Sequence, residues 1–150
     1  MMFSASYARA YEVKGNSTYY FARQAIFAVV GIAFMAALLR ADGETVFEET
    51  VFEDRFRHTA QFQKMGARIV LSGKRAFVRG VPALSGARLQ AGDLRGGAAL
   101  VVAALSAEGK SVISGVKHIR RGYDHLEDHL QKLGACMIIR MASWAISPNG

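Results

Sequence analysis

Residues 92–97 combine side chains and backbone features that bind anions. The segment reads Gly-Asp-Leu-Arg-Gly-Gly, and Asp93 is a typical N-cap for a helix that continues to about Ala107 before Gly109 ends it. The first turn of a helix offers unpaired N–H groups and a positive dipole potential. Arg95 adds a fork of donors for phosphate or carboxylate. These residues predict an anion site, although an ordinary capped helix with glycines that allow close packing stays open as the alternative.

A second basic turn consists of Arg120 and Arg121, followed by Gly122 and by a helix predicted over Tyr123–Leu133. Like residues 92–97, this basic turn comes just before a predicted helix, so it is a second candidate for contacts to anions. The residues fit equally with a solvated basic turn on the surface.

The histidines and the cysteine near this second helix do not suggest a metal site. His125 and His129 lie four residues apart with Glu127 and Asp128 between them, which is not the spacing of a zincin, and no third ligand is evident. We therefore predict no metal and no other cofactor. Cys136 is the only cysteine, and we expect it to lie in a strand and to point into the core.

Turn signals divide the chain around these candidate sites into short helices and strands. Ser72-Gly73-Lys74 is a hairpin signal, and Gly66 ends the helix that precedes the hairpin. The alternation predicts a mixed α/β fold. The predicted helix is His58–Met65, and the predicted strands are Ala67–Leu71, Ala76–Arg79, Arg88–Gln90, Ser111–Ser114 and Met137–Arg140.

An internal repeat links two parts of this region. Gln61–Ala67 recurs as His129–Ala135, and each copy contains a helix end, a glycine stop and the start of an apolar strand. The repeat suggests a duplicated α/β unit rather than a solenoid. Chance similarity between two helix stop signals is the alternative.

Residues 21–39 form a long apolar stretch in which Ala25–Leu39 contains no polar side chain. Its length is about that needed to cross a hydrocarbon core of roughly 30 Å. Arg23 and Arg40 flank the stretch, where long cationic side chains reach lipid headgroups. We therefore predict a transmembrane helix and a membrane-associated N-terminal part. A buried helix of a soluble protein is the alternative, because many of these residues are Ala and Gly.

The size and charge of the chain narrow the possible partners. At 150 residues there is room for about one domain, and the net charge of +7 favours phosphorylated metabolites, an anionic membrane or nucleic acid. The basic residues are scattered and no nucleic-acid-binding signature is present, so we predict no nucleic acid. A secretory signal peptide of the usual form is missing, and we expect residues 44–140 to be cytoplasmic.

A series of short motifs precedes the apolar run: Met2-Phe3-Ser4-Ala5-Ser6-Tyr7, Gly15-Asn16-Ser17, Tyr19-Tyr20-Phe21 and Arg23-Gln24. With these motifs, residues 2–39 resemble the start of the SEDS family of cell-division membrane proteins, the FtsW type. In that family the FSAS stretch closes one transmembrane helix and Arg-Gln opens the next.

A second series of motifs follows the apolar run: Thr50–Phe56, Met65-Gly66-Ala67, Gly80-Val81, Leu84-Ser85-Gly86-Ala87, Asp93-Leu94-Arg95, Ala107-Glu108-Gly109, His118–Tyr123 and Leu133-Gly134-Ala135. With these motifs, residues 44–140 resemble the C-terminal part of the UDP-N-acetylglucosamine 1-carboxyvinyltransferases, the enolpyruvyl transferases of peptidoglycan synthesis. The motifs occur in that family's order and at its spacing.

This second resemblance implies a fold, a reaction and a set of site residues. The family is built from βαβαββ units and transfers the enolpyruvyl group of phosphoenolpyruvate to UDP-N-acetylglucosamine, so both substrates are anions. By resemblance, Arg121 contacts the phosphoenolpyruvate side of the cleft and Asp93 and Arg95 form a turn that lines it. Arg55 matches a cleft arginine, and Val51 matches the position whose backbone binds the nucleotide sugar.

The two resemblances divide the chain into residues 1–40, a junction at 41–43, an enolpyruvyl transferase fragment at 44–140 and a tail at 141–150. Arg120 stands where the family has Asp, and the family's first domain with its reactive-cysteine loop is not matched. We therefore expect no transferase activity from this chain alone. The alternatives are a membrane-tethered module that binds a nucleotide sugar and a fragment of an FtsW-like protein.

Overall fold

A computed structural model describes residues 9–12, 27–48 and 56–147 of the chain. Ten strands and five helices lie in these ranges. The strands are β1 (Arg9–Glu12), β2 (Glu44–Glu48), β3 (Arg68–Ser72), β4 (Arg75–Arg79), β5 (Leu84–Ser85), β6 (Arg88–Gln90), β7 (Ala107–Glu108), β8 (Ser111–Ser114), β9 (Cys136–Ile139) and β10 (Ser143–Ser147). The helices are α1 (Phe27–Leu38), α2 (Thr59–Lys64), α3 (Leu94–Ser106), α4 (Lys117–Arg120) and α5 (Leu126–Lys132).

Two four-stranded sheets repeat the same arrangement. In the first, the chain runs β1-α1-β2-α2-β3-β4 and the strands lie in the order β1-β2-β4-β3. In the second, the main elements run β6-α3-β8-α5-β9-β10 and the strands lie in the order β6-β8-β10-β9. Each half is therefore a βαβαββ unit, which confirms the predicted mixed α/β fold. The units differ at one point, because β6 is parallel to β8 whereas β1 is antiparallel to β2.

The repeated sequence segments occupy equivalent places in these units. Gln61–Ala67 contains the end of α2 and the turn into β3, and His129–Ala135 contains the end of α5 and the turn into β9. Gly66 and Gly134 both have positive φ, +88° and +95°. Glycine enters this region without the steric cost that a Cβ adds, so it ends each helix at low strain.

One glutamine in each copy of the repeat makes the same hydrogen bond, which joins residues six positions apart in the chain. Gln63 Nε2 donates to the carbonyl of Ile69 at 2.8 Å, and Gln131 Nε2 donates to the carbonyl of Met137 at 3.0 Å. In both cases the side chain on the helix bridges to the strand six residues later. This shared contact makes chance similarity a poor explanation of the repeat.

Helix α1 is part of the hydrophobic core. Met35, Ala36 and Leu39 are at most 2% exposed, and α1 packs against α3, whose small residues Ala103 and Ala104 are fully buried. The predicted transmembrane helix over residues 21–39 is therefore corrected, as far as it is described, to the alternative of a core helix. The described part is 12 residues long, about 18 Å at the rise of an α-helix. None of the helices in the described ranges is long and apolar enough to cross a membrane.

Arg40 also has a different role from the one predicted. Its guanidinium donates to the carbonyl of Ser106 at 3.1 Å and to the carbonyl of Pro82 at 3.1 Å. Ser106 is the last residue of α3, where helix carbonyls lack intrahelical donors. Arg40 therefore satisfies protein carbonyls instead of reaching toward lipid headgroups.

The predicted junction at residues 41–43 is built into the fold. Gly80 donates its N–H to the carbonyl of Gly43 at 3.1 Å, and Val81 donates its N–H to the carbonyl of Leu39 at 2.8 Å. A Cβ added at Gly80 would lie only 1.6 Å from the carbonyl oxygen of Ala41. The backbone of the predicted junction and of Leu39 just before it is thus in direct contact with the residues that follow β4.

The predicted tail at residues 141–150 supplies a strand of the second sheet. Strand β10 lies between β8 and β9 and pairs with both in the antiparallel sense. Trp144 and Ile146 are fully buried, so this strand carries part of the core. Local sequence patterns predict no strand here, because the segment lacks a distinctive local signal.

Strand β9 begins one residue earlier than predicted, and Cys136 does not point into the core. Cys136 is exposed, whereas Met137 beside it is 9% exposed. Neighbouring side chains of a strand point to opposite faces, so the burial of Met137 places Cys136 on the outer face of the sheet.

Candidate anion site at the first turn of helix α3

Asp93 caps helix α3 as predicted. Its backbone is extended, with φ −151° and ψ 174°, and its Oδ1 accepts a hydrogen bond from the Gly96 N–H at 2.7 Å. The N–H groups of Leu94 and Arg95 lie in the first turn, where an α-helix has no intrahelical acceptor for them. The positive end of the helix dipole is therefore available beside Arg95.

Glycines allow this helix end to approach the turn after α4. A Cβ at Gly97 would lie 2.6 Å from Ile119 Cγ1, and a Cβ at Gly122 would lie 2.5 Å from Leu94 Cδ2. Both distances are shorter than a carbon–carbon contact allows. The close packing proposed as the alternative role of the glycine pair is thus present at Gly97.

The contact between Leu94 and Gly122 brings the two predicted basic segments together. Arg95 follows Leu94 in the chain, and Arg121 precedes Gly122. Arg121 is exposed and caps the C-terminal end of α4, while Arg95 is half-buried. The prediction that Arg120–Gly122 opens a helix over Tyr123–Leu133 is therefore wrong, because the basic segment ends α4 and the next helix begins only at Leu126. Arg95, Arg121 and the N-terminus of α3 are therefore all chain neighbours of a single contact. Guanidinium groups and helix N-termini are the groups that bind phosphate or carboxylate.

A third part of the chain reaches the same helix end through His58. This residue precedes α2, is 6% exposed and stacks edge-on against Phe62 with ring centroids 5.3 Å apart. A Cβ at Gly96 would lie 3.4 Å from His58 Cβ, so the two elements touch at the first turn of α3. The predicted site residues Val51 and Arg55 lie outside the described residues, in the segment that precedes Phe56.

Pattern reasoning missed the residues that hold the second basic segment. Arg120 forms an ion pair with Glu127, with Nη2 and Oε1 2.7 Å apart, and its guanidinium lies 5.6 Å from the centroid of the Trp144 ring. The carboxylate is on α5 and the indole is on β10. The only local signal for this cluster was an acidic residue in the first turn of a helix that follows a basic turn.

No cluster of three or more His, Cys, Asp or Glu side chains that could hold a metal ion occurs in residues 9–12, 27–48 and 56–147. The groups considered at the candidate site are cationic side chains and backbone donors. Such groups bind and orient anions and stabilise negative charge that develops during a reaction.

Comparison with known proteins identifies the family. Residues 19–130 match the EPSP synthase (3-phosphoshikimate 1-carboxyvinyltransferase) family. The chain belongs to this family. The match begins inside the segment that resembles SEDS proteins and crosses the predicted junction at 41–43. The resemblance of residues 2–39 to SEDS proteins stays a prediction.

Curated relatives agree with the resemblance of the C-terminal part. The chain is 53% identical over 102 residues to a UDP-N-acetylglucosamine 1-carboxyvinyltransferase of Synechocystis sp., covering 68% of this chain and 23% of the relative. It is 48% identical over 102 residues to the protein of that name from Endomicrobium trichonymphae, covering 68% of this chain and 24% of the relative. The chain thus spans about a quarter of the length of these relatives.

Solved structures show the same fold. The enolpyruvyl transferase NikO from Streptomyces tendae superposes with a TM-score of 0.66 at 32% identity, covering 72% of this chain and 25% of that one. EPSP synthase from Acinetobacter baumannii superposes with a TM-score of 0.62 at 17% identity, covering 81% and 29%. These likenesses support the mixed α/β enolpyruvyl transferase fold.

Proposed function

We propose that this chain contributes one side of a carboxyvinyltransferase active site in peptidoglycan precursor synthesis. This side, the anion-binding wall, consists of Arg121 and of the first turn of α3 with Asp93 and Arg95. Its ligands are phosphoenolpyruvate and UDP-N-acetylglucosamine, both present in the cytoplasm. The observation that supports the proposal is the contact between Leu94 and Gly122, which are the chain neighbours of Arg95 and Arg121. The high identity to curated UDP-N-acetylglucosamine 1-carboxyvinyltransferases supports this choice of substrates.

The residues of this wall have distinct tasks in the proposal. Asp93 holds the first turn of α3 in helical geometry through its bond to Gly96. The free N–H groups of that turn and the guanidinium of Arg95 attract one anionic group. Arg121, on the neighbouring turn, contacts the phosphoenolpyruvate. Val51 and Arg55 remain proposed contacts to the nucleotide sugar and the cleft.

Transfer of the enolpyruvyl group requires more than this wall. An electrostatic site lowers a barrier only when its donors surround the position where charge develops and exclude water from it. The chain covers about a quarter of the length of its curated relatives. We therefore propose that the 150-residue chain binds ligand weakly and does not turn it over by itself.

Calorimetric titration of the purified 150-residue chain with phosphoenolpyruvate and with UDP-N-acetylglucosamine tests the proposal. A Kd on the order of millimolar, about −4 kcal/mol, is expected for an open half-site. Arg95→Met should abolish the heat of phosphoenolpyruvate binding. Arg68→Met removes the same charge from the exposed edge strand β3 and serves as the matched control. Equal loss in both variants, or no heat with the unmodified chain at millimolar ligand, would refute the proposal.

A further inference from the structure

We propose that Arg120 is a positioning residue that, together with Glu127 and Trp144, fixes the backbone from which Arg121 reaches its ligand. This inference rests on the proposed function, because it takes Arg121 as the residue that contacts the anionic ligand.

The ion pair between Arg120 and Glu127 ties the end of α4 to the first turn of α5. Nε and Nη2 of the guanidinium lie 2.9 Å and 2.7 Å from the same carboxylate oxygen, Oε1. The Glu127 side chain is 10% exposed and the Arg120 side chain is 40% exposed. A half-buried pair of this kind is screened less by solvent than a surface pair.

Trp144 supports the guanidinium from the side of the sheet. Its ring is fully buried on β10, and its centroid lies 5.6 Å from Arg120 Cζ, within the range of a cation–π contact. Arg120 is therefore held by two elements, α5 and β10, that belong to different parts of the same unit.

Arg121 lies between two anchored neighbours. Arg120 is held as described, and Gly122 packs against Leu94 so closely that a Cβ would be 2.5 Å from Leu94 Cδ2. The N–H of Gly122 donates to the carbonyl of Ile119 at 3.2 Å, and Ile119 is fully buried. The backbone of Arg121 is thus fixed while its side chain stays exposed, which lowers the ordering cost of binding a ligand.

Neutralising Glu127 distinguishes two mechanisms, one in which Glu127 positions Arg120 and one in which its charge simply repels the anionic ligand. Removing a carboxylate near an anion site should strengthen anion binding if charge alone matters. Removing the partner that holds Arg120 should weaken anion binding if geometry matters. Glu127→Gln removes the charge at nearly constant shape, so the two mechanisms predict opposite results.

The experiment measures phosphoenolpyruvate affinity by calorimetry for the unmodified full chain, Glu127→Gln, Arg121→Met and the double variant. We expect Glu127→Gln to weaken binding about tenfold, equivalent to about 1.4 kcal/mol. In the Arg121→Met background the same change should have no further effect, because the residue that it positions is gone. Tighter binding by Glu127→Gln, or an equal loss in both backgrounds, would overturn the proposal.

A second measurement keeps the test independent of folding and of the proposed function. If Glu127→Gln fails to fold, Glu127→Asp takes its place, because it keeps the charge and shortens the side chain that reaches Arg120. Weaker binding by Glu127→Asp then supports positioning, and unchanged binding refutes it. If the unmodified chain binds no phosphoenolpyruvate, the proposed function fails, and hydrogen exchange of the Gly122 and Tyr123 amides then decides about the positioning cluster. Faster exchange in Glu127→Gln, by about tenfold, supports it, and unchanged exchange at both amides refutes it.

Discussion

Substitution of Gly80 by Ala tests whether residues 39–43 are an integral part of the fold. Gly80 follows β4, and its backbone contacts the segment that connects α1 to β2. An added Cβ would lie 1.6 Å from the carbonyl oxygen of Ala41 and 2.7 Å from its carbonyl carbon. The obstacle is backbone rather than the end of a flexible side chain, so relief requires the segment to move.

The expected loss of stability follows from these distances. The Ala41 carbonyl has to move by about 2 Å to reach ordinary contact distance. That shift breaks the hydrogen bonds from Gly80 N–H to the Gly43 carbonyl and from Val81 N–H to the Leu39 carbonyl, each worth about 1 kcal/mol. Strain from overpacking adds about 1–3 kcal/mol. We expect the free energy of unfolding to fall by about 3–5 kcal/mol.

Urea unfolding monitored by tryptophan fluorescence measures this loss. Trp144 is the single tryptophan and is fully buried, so its emission reports unfolding of the core. Gly92→Ala is the matched control, because a Cβ at Gly92 meets nothing within 4 Å. We expect the control to change stability by less than about 0.5 kcal/mol. If Gly80→Ala and Gly92→Ala unfold at the same urea concentration, residues 39–43 do not pack against the end of β4 as described.

Three further predictions concern the cap, the junction and activity. Asp93→Ala should lower the free energy of unfolding by about 1 kcal/mol through loss of the N-cap, measured by the same urea titration, with the exposed Asp42→Ala unchanged. Arg40→Met should lower it by about 1–2 kcal/mol, because two carbonyls lose a donor; a change no larger than in Arg68→Met would contradict that role. The 150-residue chain should release no phosphate from phosphoenolpyruvate in the presence of UDP-N-acetylglucosamine, and measurable turnover would refute this expectation.

Local signals were sufficient wherever a few neighbouring residues determine the structure. The cap at Asp93, the stop at Gly66 and the hairpin at Gly73 each depend on contacts within a few positions of the chain. The repeat was visible for the same reason, since a helix end and its glycine stop are short-range features. These elements were predicted to within one or two residues.

Long-range contacts decide the features that the sequence did not reveal. An unbroken apolar run is compatible with a membrane-spanning helix and with a buried core helix. Only the burial of Met35 and Leu39 and the packing of α1 against α3 distinguish the two. The strand containing Trp144 depends on pairing with β8 and β9. The ion pair between Arg120 and Glu127 joins two separate helices, so it depends on how the turn between them folds and not on the periodicity of one helix.

The order of strands in the two sheets has a consequence for how the chain is made. In each unit the strand synthesised last, β4 or β10, lies in the interior of its sheet between two strands that are made earlier. Neither sheet can close until the ribosome has passed its final strand, which is residue 79 for the first sheet and residue 147 for the second. The nascent chain therefore holds unpaired strand edges throughout the synthesis of each unit, and this is the interval in which chaperone binding or aggregation competes with folding.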